Sequence, residues 1–334
     1  MAKPDPERRS HRRANGRFRN PWDTTEHGLL DVLRWQLGRR DRPPGADPDP
    51  SAFPRATAEF ARPRADADAI SVTWVGHSTL LVQFAGLNIL TDPIWSEHAS
   101  PVPGVGPRRW VPAAVEFGSL PPVDLVLLSH NHYDHLDDPT VRRLAAAHPG
   151  AQWVTPLGLA DFVRRRGAAN VAELDWWEEM HVRGVHIACT PAQHFSARGL
   201  TDRFATLWAG FALRAGAHRL YFAGDSGYHP EFTEIGARYG PFDVALMPIG
   251  AYDPRWFMRV VHMDPEESVR AFRDLNAGRA AGQRAIMVGI HWGTFKLTDE
   301  ALDEPPIRAR AAWLEAGEPA EDLWILPHGG TRWR

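Results

Sequence analysis

The chain has 334 residues, 43% of them apolar, which suffices for one large domain or two smaller ones around a sizeable core. Its net charge of −3 excludes the strong basic field that drives non-specific binding of nucleic acids, so we expect no nucleic-acid partner. A single cysteine, Cys189, excludes an internal disulfide and favours a reducing, cytoplasmic location.

The first 50 residues differ in composition from the rest of the chain. Basic residues are concentrated between Arg8 and Arg19, and an apolar stretch at 29–37 is followed by a run rich in proline and aspartate. We predict that residues 1–50 form an N-terminal arm and linker and that 51–334 form one folded domain. The arm is either a solvated, partly disordered tail or a segment that adsorbs peripherally to anionic lipid headgroups. We expect no signal peptide and no transmembrane segment, because no apolar run has the required length.

From residue 70 onwards, short apolar runs alternate with turns and with segments of helical periodicity. The first runs are of β type and are separated by Gly-containing turns, and 123–130 is a continuous aliphatic run typical of a buried strand. The helical segments repeat apolar residues at helical spacing, and several begin with Asp and Pro. The predicted strands are 70–76, 79–86, 87–93, 123–130, 152–158, 184–194, 206–215, 219–227, 242–251 and 285–293, and the predicted helices are 138–148, 159–167, 230–240, 264–278 and 307–317. Two strand-rich halves with helices outside predict an α/β fold, a four-layer α/β/β/α sandwich.

Several predicted strands end in a residue that can bind a metal ion, namely His130, His194, Asp225 and His291. Strand ends that share one edge of a sheet bring such residues into one crevice. The densest group is HNHYDH at 130–135, where alternate residues of an extended strand end face the same way, so His130 and His132 can share one ion. The chain then turns, so that Asp134 and His135 face a second ion. Imidazole and carboxylate ligands without thiolate favour Zn²⁺, with Mn²⁺ or Fe²⁺ as alternatives.

Longer phrases of the sequence resemble the metallo-β-lactamase superfamily and one branch of it. HNHYDHLD is followed in order by TPAQH, AGDSGY and IHWGTF, which resemble the metal motifs of the superfamily. The surrounding residues resemble the N-acyl-phosphatidylethanolamine-hydrolysing phospholipase D branch. The phrases that carry this closer resemblance are GRFRNPW, LRWQL, VTWVGHST, LTDPIWS, ELDWWEE, GPFDVALMPIGAYDPRWFM and HMDPEESV. The resemblance covers the chain from Gly16 to its end.

The resemblance implies that 51–334 is a metallo-β-lactamase-type catalytic domain that holds two Zn²⁺ ions. One ion would be held by His130, His132 and His194, the other by Asp134, His135 and His291, and Asp225 would bridge them. Two nearby cations would lower the pKa of a shared water, and the resulting hydroxide would attack phosphorus in line. Asp134 would also orient this nucleophile.

Four residues near these motifs each have two interpretations. Asp92 either hydrogen-bonds the far nitrogen of a ligand histidine or is an ordinary turn residue. His262 matches a position that in the relatives lies near the scissile phosphate, where it would contact phosphate or protonate the leaving group; otherwise it only precedes a helix. His77 either lines the site or is a buried, satisfied histidine. Tyr133 either donates to a phosphate oxygen or packs.

The leading functional hypothesis is a phosphodiesterase of phospholipase D type that releases phosphatidic acid and an N-acylethanolamine from a phospholipid. Trp176 and Trp177 are candidates for an apolar substrate groove, and the resemblance also implies a homodimer. An alternative keeps the metals but acts on a soluble metabolite, such as a sugar-phosphate lactone or a small phosphodiester. A third hypothesis is a non-catalytic lipid-binding scaffold, although seven candidate ligands exceed what a structural site needs. β-Lactam hydrolysis is disfavoured by the phrases outside the metal motifs.

Overall fold

The computed structural model describes residues 11–22, 25–39, 45–102, 104–199 and 201–334. The basic residues Arg8 and Arg9 and the linker residues 40–44 lie outside this description. The strands in the described ranges are β1 (Ile70–Gly76), β2 (Thr79–Phe84), β3 (Leu87–Thr91), β4 (Leu125–Leu127), β5 (Gln152–Pro156), β6 (Asn170–Leu174), β7 (Glu179–Val182), β8 (Val185–Thr190), β9 (Gly210–Ala215), β10 (His218–Phe222), β11 (Val244–Pro248), β12 (Ile286–Ile290), β13 (Leu323–Trp324) and β14 (Thr331–Trp333). The α-helices there are α1 (Leu29–Gly38), α2 (Asp138–Ala147), α3 (Ala160–Arg164), α4 (Glu231–Tyr239), α5 (Arg255–Met258), α6 (Pro265–Leu275) and α7 (Glu304–Glu315).

These strands form two mixed sheets of seven strands each. The order is β14-β1-β2-β3-β4-β5-β6 in the first sheet and β13-β12-β11-β10-β9-β8-β7 in the second. The antiparallel pairs include hairpins such as β2–β3, where Ala85 and Gly86 have φ of 53° and 73°, as a type I′ turn requires, and also the pairing of β1 with β14 near the end of the chain. The strands from β3 to β6 and from β10 to β13 pair in parallel. Among the described residues, no helix has both the length and the apolarity needed to cross a bilayer.

Both faces of the sheets are buried, which makes four layers. On β2, Leu80 and Val82 belong to the apolar cluster that includes the second sheet, whereas Leu81 belongs to a separate cluster with α2 and α3. On the far side of the second sheet, Phe232 of α4 and Phe272 of α6 join the main cluster. Strand side chains alternate between faces with period two, so every residue of β2 is buried, on one side or the other. The predicted α/β/β/α sandwich is confirmed.

The predicted strands and helices are present, and the structure also contains strands that the sequence analysis did not predict. Strands β6, β7, β13 and β14 escape sequence-based prediction because they are short or partly exposed and lack a continuous aliphatic run. Strand β4 is shorter than the predicted 123–130. It ends at Leu127 because the backbone N–H of Ser129 turns away and donates to Asp92 Oδ1 at 2.7 Å.

The N-terminal segment of residues 11–22 packs against the sandwich. Phe18 is buried, and its backbone N–H donates to the carbonyl of Phe204 at 2.8 Å. At the start of the segment, His11 Nε2 and Arg12 donate to the two carboxylate oxygens of Asp175, each at 2.7 Å. The segment is thus bound to the sandwich by several contacts. The division of the chain at residue 50 into an arm and a folded domain stays a prediction.

Replacing Asp175 by asparagine is expected to lower the free energy of unfolding by about 1 kcal/mol at neutral pH. Although partial burial opposes it, hydrogen bonds from His11 and Arg12 lower the pKa of Asp175 to about 2. A depressed carboxyl pKa stabilises the fold above the unfolded value of about 4, and this stabilisation is lost as the pH falls toward 2. Urea unfolding of metal-free protein should therefore show a difference at pH 7 that shrinks at pH 3. Asp68→Asn, at an exposed site, is the control, and a pH-independent difference would contradict the assignment.

Candidate metal centre

Strands that run in the same direction end at one edge of the sandwich. Strands β1, β3 and β4 share a direction in the first sheet, as do β8, β10 and β12 in the second. The chain just beyond their carboxyl ends carries six polar residues, His77, Asp92, His130, His194, Asp225 and His291. The prediction that strand ends share a crevice holds for both sheets at once, since the side chains meet across the sandwich.

The backbone at this edge is strained at three non-glycine residues. His77, Asp92 and His291 have φ of 57°, 32° and 61°, where a non-glycine residue costs about 1–3 kcal/mol. Surrounding hydrogen bonds hold the conformation: the N–H of His77 donates to Thr294 Oγ1 at 2.7 Å, and the N–H of His291 donates to the carbonyl of His77 at 3.1 Å. Such strain concentrates at functional sites, because it persists only where the surroundings impose it.

His130, His132 and His194 form the first group of side chains. Nε2 of His130 lies 2.9 Å from Nδ1 of His132, and Nε2 of His194 lies 3.2 Å from that same Nδ1. His130 and His194 are at most 1% exposed. Three imidazole nitrogens that converge in this way offer three of the four ligands of a tetrahedral metal site.

Asp134, His135 and His291 form the second group, and Asp225 lies between the two groups. Oδ2 of Asp225 is 3.1 Å from Nε2 of both His135 and His291. The same oxygen is 3.8 and 3.9 Å from the nearest ring nitrogens of two histidines of the first group. Oδ2 of Asp134 is 3.2 Å from Nε2 of His135. The position of Asp225 is therefore that of a carboxylate shared by two sites.

Several buried polar atoms of this centre have no hydrogen bond within the described residues. They are Oδ1 of Asp225, Nε2 of His135 and both ring nitrogens of His291. Leaving a buried polar atom unsatisfied costs about 1–3 kcal/mol, so such atoms are rare in folded proteins. Because they are converging imidazole and carboxylate atoms, the residues present fit divalent metal ions.

The electrostatics of the centre also fit bound cations. Burial lowers the pKa of His132 to about 3 and that of His194 to about 4, so both rings are neutral and able to ligate at neutral pH. Burial opposes charge on His291 as well, but the carboxylates of Asp225 and Asp134 outweigh it and raise its pKa to about 9. The buried carboxylates thus require positive charge nearby, which either protons or metal ions can supply.

Asp92 supports histidines of both groups. Its Oδ2 accepts hydrogen bonds from His135 Nδ1 at 2.7 Å and from Ser129 Oγ at 2.5 Å. Because the Ser129 hydroxyl donates to Asp92, its oxygen is left to accept from His130 Nδ1 at 2.9 Å. Both histidines therefore carry the proton on Nδ1 and present the Nε2 lone pair to the centre, as metal ligands must. The structure thus places Asp92 on the far nitrogen of a candidate ligand histidine, and its effect on metal binding stays a prediction.

Asp92→Asn is expected to weaken metal affinity by about tenfold to hundredfold, the usual effect of removing a carboxylate that orients a ligand histidine. The amide keeps the shape of Asp92 but loses its charge and presents a donor to groups that already donate. Affinity is measured by competition with a chromophoric chelator. The matched control is Asp137→Asn, which changes another buried carboxylate, hydrogen-bonded to Ser96 and Thr140 and not to the histidines. Equal affinities in the two variants would contradict the role of Asp92.

The structure brings His77 and His262 to the centre. His77 is buried, and its Nε2 donates to Oδ2 of Asp134 at 2.9 Å. His262 lies three residues before the start of α6, and its Nδ1 faces Oδ2 of Asp225 at 4.0 Å without any hydrogen bond in the described chain. The ring of His262 is 12% exposed on its side chain, so it lies where the centre meets solvent.

The remaining sequence-predicted residues, Tyr133, Trp176 and Trp177, bond to or pack against groups outside the His/Asp cluster. The hydroxyl of Tyr133 donates to the carbonyl of Arg198 at 2.7 Å, and the guanidinium of Arg198 lies over its ring. The indole of Trp176 is in the core and donates to the carbonyl of Trp208 at 2.7 Å. Trp177 is partly buried beside Arg238. These contacts account for the tryptophans as packing residues.

Three positioning groups escape sequence reasoning. Ser129, the residue before His130, donates a hydrogen bond to Asp92 and accepts one from the ring of His130. In the sequence, only its hydroxyl at the end of an apolar strand indicates this role. The carbonyl of Val261 accepts a hydrogen bond from Nδ1 of His194 at 2.8 Å. A backbone carbonyl is present in every residue, so the sequence cannot indicate which one binds the ring. Asn20 bonds the backbone of His194 from 174 residues away, a separation at which no spacing rule operates.

Comparison with known sequences agrees with this geometry. A family model described as Beta-lactamase superfamily domain matches residues 87–292. The chain is 40% identical over 262 residues to N-acyl-phosphatidylethanolamine-hydrolyzing phospholipase D 1 of Caenorhabditis elegans, covering 75% of this chain and 70% of the relative. It is also 41% identical over 314 residues to an uncharacterized protein of Mycobacterium tuberculosis, covering 92% of this chain and 79% of that protein.

Comparison with solved structures supports the fold. The metallo-beta-lactamase fold protein YhfI from Bacillus subtilis superposes with a TM-score of 0.55 at 16% identity, covering 80% of this chain and 100% of that one. At this identity the likeness bears on the fold alone. Taken with the converging His/Asp side chains and the sequence relatives, it leads to one conclusion: the chain belongs to the beta-lactamase superfamily and is a metal-dependent hydrolase similar to the N-acyl-phosphatidylethanolamine-hydrolysing phospholipases D.

Proposed function

We propose that the protein is a dinuclear zinc phosphodiesterase of phospholipase D type, which hydrolyses N-acyl-phosphatidylethanolamine-like phospholipids at the cytoplasmic side of a membrane. The observation that carries the proposal is the 40% identity to the worm phospholipase D over 75% of the chain. The seven ligands are His130, His132 and His194 for one ion, Asp134, His135 and His291 for the other, and Asp225 between them. Nitrogen and oxygen donors without thiolate favour zinc.

The reaction exchanges one P–O bond for another. The bound ions supply Lewis acidity, which makes water nucleophilic near neutral pH and stabilises the charge that develops on the phosphate oxygens. Oδ2 of Asp134, held by His77 at 2.9 Å, accepts a hydrogen bond from the attacking water and so aims it at phosphorus. The bond from phosphorus to the ethanolamine oxygen breaks, phosphatidic acid keeps the phosphate, and the N-acylethanolamine leaves as an alcohol once it gains a proton.

His262 is proposed to act on the phosphate group or on the oxygen that leaves it. Its Nδ1 has no hydrogen bond within the described residues, it lies 4.0 Å from Asp225, and it belongs to the part of the centre that reaches solvent. A ring in this position either donates to a phosphate oxygen or hands its proton to the departing oxygen. Its backbone is held by donation to the carbonyl of Met258 at 2.8 Å, which fixes where the ring enters the site.

The substrate assignment is tested with metal-reconstituted protein and N-acyl-phosphatidylethanolamine in detergent micelles. Formation of phosphatidic acid and N-acylethanolamine in equal amounts, abolished by chelator and restored by Zn²⁺, is the expected result. If only Mn²⁺ or Fe²⁺ restored hydrolysis, the assigned metal would change but the assigned reaction would stand. Hydrolysis of small soluble phosphodiesters with no phosphatidic acid from the lipid would overturn the lipid assignment in favour of a soluble metabolite.

The proposed lipid contact is helix α1, whose apolar side chains face outward. Leu30 is 81% exposed, and Leu33 and Leu37 are each 57% exposed; their spacing places them on one stripe of the helix. The opposite face is anchored to the protein, because Trp35 Nε1 donates to Asp299 Oδ2 at 2.6 Å. An amphipathic helix that exposes residues such as Leu30, Leu33 and Leu37 is typical of a segment that lies in a membrane interface.

Two neighbours of α1 support a lipid surface as its occupant. Trp256 of α5 is 44% exposed, and the guanidinium of Arg34 lies 4.8 Å from the centre of its ring. Indole and arginine side chains suit the boundary between acyl chains and headgroups, where an apolar body and a polar tip are both accommodated. Helix α5 leads within four residues to His262, so a lipid held here lies near the proposed phosphate site.

Leu33→Glu is expected to reduce binding to vesicles of phosphatidylcholine and phosphatidylglycerol by about tenfold or more, because burial of one leucine is worth about 1.5–3 kcal/mol. Flotation of the protein with vesicles measures the bound fraction. Gln36→Glu, which adds the same charge at another exposed position of α1, is the matched control and should bind nearly as well as the wild type. Wild-type protein that fails to float would show that α1 has another occupant.

A further inference from the structure

We propose that Asn20 is a positioning residue for the metal ligand His194, which makes the N-terminal segment of residues 11–22 a component of the metal centre. This inference rests on the proposed function only in that His194 binds an ion, and it is independent of the substrate. The segment lies outside the stretch that matches the superfamily, residues 87–292.

The side-chain amide of Asn20 satisfies both backbone groups of His194. Its Nδ2 donates to the carbonyl of His194 at 3.0 Å, and its Oδ1 accepts from the backbone N–H of His194 at 3.2 Å. The two bonds form a closed pair, in which one side chain takes the place of a neighbouring strand. An amide alone among uncharged side chains offers a donor and an acceptor at this spacing.

His194 needs such a partner because it lies beyond the sheet. Strand β8 ends at Thr190, four residues earlier, so no ladder of strand bonds extends to His194. The residue is fully buried, so its backbone polar groups have to be paired within the protein. On the ring side, Nδ1 donates to the carbonyl of Val261 at 2.8 Å. Asn20 therefore fixes the main chain from which the ring projects, and Val261 fixes the rotation of the ring.

Asn20 is itself held by contacts two residues away on either side. Before it, Phe18 is buried and donates its N–H to the carbonyl of Phe204 at 2.8 Å. After it, the indole of Trp22 stacks on the buried ring of His229 at a centroid distance of 4.4 Å. With both flanks anchored, the amide has little freedom to follow a displaced His194, so the geometry is imposed on the ligand by the segment.

Loss of this pair should act on one ion more than on the other. His194 belongs to the group with His130 and His132, and within the described residues the hydrogen bonds of the Asn20 side chain go to His194 and not to the second group. Groups that orient a metal ligand commonly change affinity by about tenfold to hundredfold when removed. The expected signature is two ions of unequal affinity in the variant, with the weaker one assigned to the histidine group.

The experiment uses the full chain with Asn20→Ala and, in case that variant folds poorly, the isosteric Asn20→Asp, which removes the donor to the carbonyl of His194. Metal-free protein is titrated with Zn²⁺ against a chromophoric chelator, and the visible spectrum of Co²⁺-loaded protein reports ligand geometry. Both variants should lose about tenfold to hundredfold in affinity for one ion and show an altered Co²⁺ spectrum. Asn15→Ala is the matched control, since, among the described residues, the side chain of Asn15 bonds only the N–H of Arg17 in the same segment.

A merely structural role is tested with Asp175→Asn, which loosens the start of the segment at His11 and Arg12 without touching His194. The proposal expects this variant to keep the wild-type affinities and Co²⁺ spectrum. It is overturned if the Asn20 variants retain both, or if Asp175→Asn changes them equally. Wild-type protein that binds no metal would refute the metal centre itself, whereas a failure to cleave phospholipid would leave these measurements unaffected.

Discussion

Asp225→Asn is expected to lower metal-dependent hydrolysis by about a thousandfold or more. Oδ2 of Asp225 is 3.1 Å from Nε2 of both His135 and His291 and within 4 Å of the histidine group. The asparagine keeps the volume but removes the negative charge that two cations would share, so bound metal should fall below the wild-type content. Initial rates with a soluble aryl phosphodiester and elemental analysis of the purified protein measure both effects.

The control for this prediction is Asp161→Asn, which removes the same charge from a carboxylate that is 80% exposed. It should retain wild-type rates and metal content, and circular dichroism should show that both variants are folded. If Asp225→Asn hydrolysed the phosphodiester at the wild-type rate with a full complement of metal, the role of Asp225 as a carboxylate that two metal ions share would be refuted.

Gly250→Ala is expected to destabilise the protein by about 3 kcal/mol and to weaken metal binding together with stability. A Cβ at position 250 would lie 2.2 Å from the carbonyl oxygen of His291 and 3.2 Å from Cα of Trp292. Both are parts of a chain packed between buried strands, so the clash is relieved only by displacing the end of β12. That movement carries His291 with it. Urea unfolding of metal-free protein measures the first effect, and chelator competition the second.

Gly278→Ala is the matched control, because a Cβ at position 278 meets no atom within 4 Å. Since alanine restricts the unfolded chain, this variant should be as stable as the wild type or more stable by up to about 1 kcal/mol. Equal stability of Gly250→Ala and Gly278→Ala would show that β11 and β12 tolerate separation at their carboxyl ends. The close approach of Gly250 to His291 would then be irrelevant to the site.

The proposed lipid surface and the metal centre are linked through α5 and the residues after it. Trp256 of α5 borders α1, Val261 accepts from the ring of His194, and His262 faces Asp225. A phospholipid bound at α1 would therefore meet the segment that orients one ligand and supplies the proposed proton donor. Vesicle binding without hydrolysis, or hydrolysis without vesicle binding, would separate the two parts of the proposal.

Much of the fold is predictable because its strands are buried on both faces. Runs such as 79–84 and 242–251 are predominantly apolar, and several helical segments have clear apolar stripes, so the local pattern alone indicates alternating strands and helices. The partly exposed strands β6, β7 and β14 carry no such pattern. These strands form because they pair with a strand of an already formed sheet. Such pairing is a non-local interaction, which the local sequence pattern does not predict.

The chemical character of the site is predictable from the residue types alone, because histidines and aspartates without a cysteine among them follow the buried strands. Residue types at strand ends are a local property, so metal binding is predictable from them. The groups that hold the candidate ligands depend on the packing of distant chain segments, because Asp92, Ser129, the carbonyl of Val261 and the amide of Asn20 reach them across space. Hydrogen-bond partners of this kind depend on how the two sheets and the N-terminal segment pack, and no periodicity in the chain encodes that.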